Sequence, residues 1–334
     1  MKKMTRYFNI PFYTLGGIRL WRDVAVREGW KVQENLVTGS FRLLDNNGVR
    51  RIRAPERQCL YALQSYFEDW EIDDTQKEIT LLIGGLMHHK GSFGKMAKRL
   101  ESDGLAPVTV CTSSFFASPD DNARALAKLL GRLPKNITKV NFVTVGSGAF
   151  IVRKLLSSDY KWNENIKPGR VVMLAPPNQG LHILQNKTIY PFMKVLAGKA
   201  FNYMRPDMAA KMPLLPENVD FAVIALDMKK GDRAGENNTD GLVRVSETKL
   251  KGMKDFIVFH RNHLSVTYAP EVIRAVASFL KTGRFLKNRK IDKIPDTFKR
   301  IMAEDAEADA RAEKLTLKDL GVTYFKATDY SRAP

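Results

Sequence analysis

The chain has 334 residues, of which 44% are hydrophobic and 27% charged, a composition typical of a globular protein with a sizeable core. No apolar run reaches the ~18 residues that a membrane-spanning helix needs, and the basic N-terminus lacks the apolar segment and cleavage site of a secretory signal. The two cysteines, Cys59 and Cys111, form no metal or disulfide pattern, so we expect a reduced, cytoplasmic setting.

The formal net charge of +18 is high, and part of the excess lies near the two ends of the chain. Such a surface attracts anionic partners. One interpretation is an ordinary solvated surface, and the other is peripheral contact with an anionic membrane surface. Nucleic-acid binding is not indicated, because the sequence has no helix-turn-helix, zinc-finger or RNA-recognition signature.

Residues 1–77 are predicted to form an N-terminal extension of a helix, a β-meander and a second helix. Ile18, Trp21 and Val24 share one face of a short amphipathic helix, which either packs on the main domain or anchors at an interface. Residues 30–53 contain short apolar runs separated by turn residues, a pattern typical of antiparallel strands. A further helix is predicted to begin at Pro55.

Residues 78–285 alternate between short apolar runs and helical patterns. This alternation predicts an α/β fold with a mostly parallel sheet covered by helices on both faces. The predicted strands, in chain order, are 79–83, 107–111, 140–145, 170–174, 221–226 and 256–259.

Two further segments flank this pattern. Residues 176–218 form an insertion rich in Met, Phe, Tyr and Leu, which we expect to be helical and to cover the active site. An alternative is that it merely extends the core. Residues 286–334 form a tail that is first basic and then mixed in charge, and we assign no chemistry to it.

The segment after the third predicted strand carries the strongest chemical signal. The apolar run 140–145 ends in Gly146-Ser147-Gly148, and a helical pattern begins at once. A strand, a very tight turn and a helix form the nucleophile elbow that exposes a catalytic serine in α/β-hydrolases. Such an enzyme also needs an acid and a histidine. Asp240, in a polar turn, and His263, in a loop, are the candidates, and they follow the turn in the expected order.

Several segments together resemble the bacterial lipase/esterase branch of the α/β-hydrolase family. The segments are Leu81 to Leu86, Phe142 to Leu156, Val171 to Gly180, Asp240 to Val243, and Asn262-His263 with the helix that follows. The resemblance covers about the central two-thirds of the chain. It implies an α/β-hydrolase fold without cofactor or metal, and hydrolysis of a small ester or lipid through a serine acyl-enzyme.

The resemblance also implies roles for individual residues. Ser147 would attack the ester, His263 would act as base and then as acid, and Asp240 would orient the imidazole. Backbone N–H groups around Gly85, Leu86 and Gly148 would stabilise the oxyanion. Gly84 stands where the family usually has a histidine.

The nucleophile slot has more than one interpretation. An ungapped match to the family places Gly146 where the serine belongs and Gly148 in the second small position of G-x-S-x-G. Shifting the turn by one residue makes Ser147 the nucleophile, but Val145 then crowds a tight turn. The first interpretation favours a catalytically inactive relative that binds a lipid, a small ester or a protein partner. A third is a glycine-rich turn that binds an anion.

Other polar residues could take part in the site, and each also has an ordinary structural interpretation. Asp227 and Asp232 are weaker alternatives for the acid. The adjacent histidines after the oxyanion segment lack the third ligand that a zinc site needs. Two serines after the second predicted strand are expected to shape the pocket. These four residues are His88, His89, Ser113 and Ser114.

Overall fold

The computed structural model describes residues 20–68, 75–85, 90–113, 116–160, 162, 164–185, 199–228, 237–285 and 322–325. Strands within these ranges form a four-stranded N-terminal sheet and a seven-stranded central sheet. The predicted oxyanion residue Leu86, together with His88, His89, Ser114 and Asp232, lies outside the described residues.

The N-terminal sheet is an antiparallel meander, as predicted. Its strands, in chain order and in spatial order, are β1 (Trp21–Arg27), β2 (Trp30–Asn35), β3 (Phe41–Leu44) and β4 (Arg50–Ala54). Helix α1 (Glu56–Ser65) follows Pro55, also as predicted, and packs on this sheet through Cys59 and Leu63.

The predicted amphipathic helix around Trp21 and Val24 is wrong, because these residues lie in β1. Glu28 and Gly29 both have positive φ, 45° and 78°, which is the geometry of a tight hairpin turn. The turn pairs β1 with β2, and the ladder of hydrogen bonds and the β-branched side chains outweigh the helical spacing. Ile18 lies outside the described residues.

The central sheet confirms the predicted α/β architecture. Its order is β11-β10-β9-β8-β7-β5-β6, in which β5 to β10 are parallel and β11 pairs antiparallel with β10. The strands are β5 (Glu78–Ile83), β6 (Pro107–Val110), β7 (Lys139–Val145), β8 (Lys167–Leu174), β9 (Phe221–Leu226), β10 (Asp255–Phe259) and β11 (Val322–Phe325). The tail therefore contributes one edge strand.

Helices cover both faces of the central sheet, so its strands are apolar on both sides. Leu81 and Ile83 of β5 join a core cluster with α3 (Pro119–Leu130) and α4 (Gly148–Ser157). Leu82, between them, points to the other face and joins α2 (Gly94–Ser102) and α7 (Pro270–Thr282). Two shorter helices are α5 (Pro206–Ala209) and α6 (Val245–Thr248). The described helices include none with the length and apolar character needed to cross a bilayer.

A buried polar network fastens the N-terminal sheet to the edge of the central sheet. The Asp23 carboxylate accepts hydrogen bonds from Lys31 Nζ at 2.8 Å, Gln33 Nε2 at 2.6 Å and the backbone N–H of Cys111 at 2.9 Å. Lys31 also donates to the carbonyl of Thr109. Burial is the largest single influence and lowers the pKa of Lys31, but the Asp23 carboxylate and Cys111 together outweigh it, and the net pKa is raised. The network thus holds a charged pair in the interface between the sheets.

We expect Asp23→Asn to lower the free energy of unfolding by about 3–5 kcal/mol, because the Lys31 ammonium stays buried without its counter-ion. The matched control is Asp103→Asn, which removes the partly exposed ion pairs of Asp103 with Arg99 and Lys281 and should cost at most about 1 kcal/mol. Urea-unfolding midpoints measure both. An equal loss in the two variants would contradict a structural role of the buried pair.

Candidate active site

The turn between β7 and α4 has the conformation of a nucleophile elbow. Strand β7 ends at Val145, and α4 begins at Gly148. Between them, Gly146 adopts a φ of 52°, in the left-handed region that favours glycine. Its backbone N–H donates to the carbonyl of Leu174 at the end of β8, at 2.9 Å. Gly146 is therefore the apex of the turn.

The apex faces the predicted catalytic histidine. A β-carbon on Gly146 would lie 3.7 Å from His263 Nε2 and 3.8 Å from His263 Cε1, ordinary van der Waals distances. A side chain at position 146 would thus point at the imidazole. This is the arrangement expected when Gly146 occupies the serine position of the elbow.

Ser147 follows the apex, and its side chain is buried. Its backbone is right-handed helical, with a φ of −63° and a ψ of −11°. The Ser147 Oγ lies 3.0 Å from the point where a β-carbon of Gly85 would be, which places the hydroxyl beside the loop after β5. The assignment of Ser147 as nucleophile stays a prediction, and this geometry does not favour it.

Two glycines, Gly85 and Gly148, allow the loop after β5 and the elbow to approach closely. A β-carbon on Gly85 would lie 2.6 Å from the Val145 carbonyl oxygen and 2.8 Å from the Ser147 nitrogen. One on Gly148 would lie 2.8 Å from the Ile83 carbonyl oxygen and 3.3 Å from that of Gly84. These positions exclude any side chain. Their proposed role in an oxyanion hole stays a prediction.

Asp240 and His263 come together as a buried acid–imidazole pair. His263 Nδ1 lies 2.7 Å from Asp240 Oδ2, and the His263 backbone N–H donates to the Asp240 carbonyl at 3.0 Å. The backbone N–H groups of Leu242 and Val243 both donate to Asp240 Oδ1 at 2.8 Å. Because an ionised carboxylate only accepts, Nδ1 carries the proton in this contact, and Nε2 is the ring nitrogen on the elbow side. The pair has the geometry of an oriented general base.

The other candidate residues in the described ranges have structural partners. Asp227, at the end of β9, accepts a hydrogen bond from Asn238 Nδ2 at 2.7 Å. The backbone of Ser113 exchanges hydrogen bonds with the side chain of Asn122 on α3. Among the residues the structure describes, no group of three or more potential metal ligands lies together.

The described parts of the insertion pack beside the elbow. Phe201, Met204 and Met212 form a buried cluster with Phe150 of α4 and Val243 of the acid turn. The regular structure in the described part of residues 176–218 is short, with 3₁₀ turns at His182–Gln185 and Lys199–Met204 and helix α5. The insertion thus places apolar side chains near the candidate site.

Sequence reasoning missed a buried arginine that holds these parts together. Arg153 on α4 donates to the carbonyls of Pro213 and Met212, each at 2.8 Å, and to the backbone and side-chain oxygens of Asn178, each at 3.2 Å. Burial lowers the pKa of its guanidinium to about 10. The sequence offered one signal for this role, a basic residue within the apolar segment that forms α4. Arg153 joins the elbow helix to the loop after β8 and to the insertion.

A second missed contact links the insertion to the acid loop. The buried Glu247 of α6 accepts from the backbone N–H of His182 at 2.8 Å and lies 2.9 Å from His182 Nδ1. Its other oxygen accepts from the backbone N–H of Arg244. Nothing in the spacing of these residues along the sequence predicts the pairing, because 65 positions separate them.

We expect Arg153→Met to destabilise the fold by about 2–4 kcal/mol, because buried carbonyl groups lose their donors. Lys154→Met is the matched control on the same helix, since Lys154 is only half-buried, and it should change stability by about 0.5 kcal/mol or less. Thermal unfolding followed by circular dichroism compares the two variants. Indistinguishable midpoints would show that the guanidinium bonds do not stabilise the fold.

Comparisons with known proteins give structural matches only. No known family model and no curated protein sequence matches the chain. A lipase from Bacillus licheniformis in its mature form aligns over 64% of this chain and 95% of its own, at 15% identity and a TM-score of 0.49. A metagenomic carboxyl esterase aligns over 63% and 71%, at 18% identity and a TM-score of 0.44.

A phospholipase from Legionella pneumophila aligns over 75% of this chain and 68% of its own, at 15% identity and a TM-score of 0.46. Similarity at these identities concerns the fold alone. The fold assignment rests on the chain's own topology, in which a tight turn follows β7, the turn of Asp240 follows β9 and the loop of His263 follows β10. The chain has the α/β-hydrolase fold.

Proposed function

We propose that the chain binds an acyl compound, a carboxylic ester or a lipid, beside the elbow and forms no serine acyl-enzyme there. One observation carries the proposal: Gly146 lies at the apex of the elbow, with its β-carbon position 3.7 Å from His263 Nε2. A serine nucleophile must lie within hydrogen-bond reach of its base, about 2.6–3.2 Å. The residue that faces the base carries no hydroxyl.

The next residue in the chain does not easily replace it. Successive residues at the start of a helix point about 100° apart, and the Ser147 hydroxyl lies beside Gly85. Moving Ser147 to the apex would require a β-branched residue, Val145, in the small position before it. A non-glycine residue would also take up a left-handed conformation.

The rest of the site suits an acyl ligand. The imidazole of His263 is fixed by Asp240, and the first turn of α4 directs backbone N–H groups toward the same edge of the sheet. The apolar cluster of the insertion offers a surface for an acyl chain. Contact with an anionic membrane surface and a cytoplasmic location are separate predictions, on which this proposal does not depend.

The second candidate function is ester hydrolysis through a Ser147 acyl-enzyme. One observation favours it: the Asp240–His263 pair is assembled, and a buried serine, Ser147, directly follows the residue that faces this pair. A shift of the turn by one residue would complete the triad that the sequence predicts. The two candidates differ in whether a covalent adduct forms on the native chain.

We expect a fluorophosphonate probe to leave the native chain unlabelled and to label Gly146→Ser, because that substitution places a hydroxyl in front of His263 Nε2. The β-carbon fits at 3.7 Å, and the left-handed backbone costs about 1–2 kcal/mol. Adding His263→Ala to Gly146→Ser should abolish labelling, as judged by gel fluorescence and intact-protein mass spectrometry. Labelling of the native chain that Ser147→Ala removes would establish the second candidate instead.

Binding itself is tested with decanoate, a simple acyl ligand, by isothermal titration calorimetry on the native chain. Binding of the carboxylate at Nε2 takes up a proton, so that the imidazolium donates to it. We expect His263→Ala to weaken binding about tenfold or more, since this charge-assisted hydrogen bond is lost. His260→Ala is the matched control, because this half-buried histidine three positions earlier lies outside the pair. No measurable binding by the native chain, or equal weakening in both variants, would contradict the proposal.

A further inference from the structure

We infer that the N-terminal sheet carries a second binding site, which takes a phosphate monoester group at the edge formed by β4. The groups that hold the ligand are the guanidinium groups of Arg42 and Arg53, which lie opposite each other on β3 and β4, and the Ser40 hydroxyl beside Arg53. The site does not depend on the acyl-binding proposal, because none of its residues belongs to the elbow or to the Asp240–His263 pair.

A row of polar side chains crosses one face of this sheet. Arg42 and Arg53 are direct cross-strand partners, so their side chains share that face. The row continues through Gln33 of β2, the partner of Arg42, to Asp23 of β1. Gln33 Nε2 donates to Asp23 Oδ1 at 2.6 Å, and Gln33 Oε1 accepts from Arg42 Nε at 3.0 Å and from Arg42 Nη2 at 2.7 Å. The row therefore starts at a carboxylate and ends at the β4 edge with two cations side by side.

The two arginines have no carboxylate partner among the described residues. Like charges directly opposite each other destabilise a sheet, so an anion bound to both would remove an unfavourable interaction. The acidic residues of the strands, and the one in the turn after β3, are each held at 2.6–2.9 Å by another cation. These pairs are Glu34 with Arg22, Asp23 with Lys31, and Asp45 with Arg51.

Arg42 is a buried cation, with 5% of its surface exposed. The ring of Trp21 covers its guanidinium group, with the ring centroid 3.8 Å from Arg42 Cζ. Burial is the largest influence on the pKa of Arg42 and lowers it to about 10, and the charge of Arg50 acts in the same direction, whereas Asp23 and Cys111 raise it. Arg42 is therefore charged at neutral pH, and an anion at the end of the row would stabilise that charge.

Arg53 and the turn between β2 and β3 supply hydrogen-bond donors on the solvent side of the row. Arg53 is exposed, and its Nη2 donates to Ser40 Oγ at 3.3 Å. Ser40 Oγ in turn lies 2.8 Å from Thr38 Oγ1. A ligand at this place would contact the guanidinium fork of Arg53 and the hydroxyl group of Ser40, with the charge of Arg42 behind them.

This combination of charges and donors suits a phosphate monoester. Such a group carries a charge of about −1.5 to −2 at pH 7, which matches two guanidinium groups. Guanidinium forks bind phosphate oxygens through parallel N–H···O bonds. A carboxylate has a single charge and would leave one cation uncompensated. A soluble phosphorylated compound and the headgroup of phosphatidic acid in a membrane offer the same chemistry.

Calorimetric titration of the native full chain with glycerol 3-phosphate, at constant ionic strength, tests the site. We expect a dissociation constant of about 1 mM or lower. Arg53→Gln should weaken binding about tenfold or more, because the ligand loses a charge-assisted, bidentate contact. Arg53→Lys should bind with intermediate affinity, since it keeps the charge and loses the fork. Arg53 is exposed, so we expect both variants to fold, as checked by circular dichroism.

The matched control is Arg57→Gln, which removes the same charge from an exposed position on α1. Helix α1 packs on the opposite face of the sheet, against Val32 and Leu43, so this variant should keep the native affinity within about twofold. No binding by the native chain at millimolar ligand would overturn the inference. Equal weakening in Arg53→Gln and Arg57→Gln would also overturn it, because binding would then follow net charge alone.

Vesicle flotation distinguishes the two sources of the phosphate group. The vesicles contain equal parts of phosphatidylcholine and phosphatidic acid. Flotation of the native chain that is lost in Arg53→Gln and kept in Arg57→Gln would support the site and identify the lipid headgroup as its ligand. Binding of glycerol 3-phosphate without flotation would support the site and identify a soluble ligand. Flotation reduced equally in both variants, with no binding of glycerol 3-phosphate, would overturn the inference.

Discussion

Direct backbone contact between two turns, each with a glycine at the point of contact, fixes the geometry of the candidate site. At Gly85 and Gly148 an added β-carbon would fall 2.6–2.8 Å from backbone atoms of the opposite turn, so the loop after β5 and the elbow meet main chain to main chain. This contact holds Ser147 beside Gly85 and leaves Gly146 to make the left-handed turn. The identity of the residue that faces His263 follows from this packing.

Much of the scaffold could be predicted, because its strands are buried on both faces and read as apolar runs. The contact between Asp240 and His263 could be anticipated from their order along the chain and from the resemblance to α/β-hydrolases, in which acid and histidine follow the elbow. Their catalytic roles stay predictions. The register of the elbow could not be decided in the same way. A glycine next to a serine is compatible with either turn, and the deciding contact comes from Gly85, over 60 positions earlier.

The wrong prediction for the segment of Trp21 and Val24 and the missed role of Arg153 have the same physical origin. Trp21 and Val24 fit a helical stripe, but pairing with β2 through a two-residue turn made that segment a strand. Arg153 gave a weak signal in the sequence, and only the folded chain shows that four acceptors from two distant segments surround it. Local patterns report spacing along one element, whereas these features depend on partners far away in the chain.

The central claim is that position 146, rather than 147, faces the imidazole of His263, and thiol titration tests it most directly. A thiol paired with a histidine ionises well below the ordinary cysteine pKa of about 8.5. Thiolate absorbance of Gly146→Cys should therefore appear below about pH 7.5 and shift upward when His263→Ala is added, whereas Ser147→Cys should titrate near the ordinary value. Cys59 and Cys111 contribute equally to both variants. A lowered, His263-dependent pKa in Ser147→Cys alone would contradict the account.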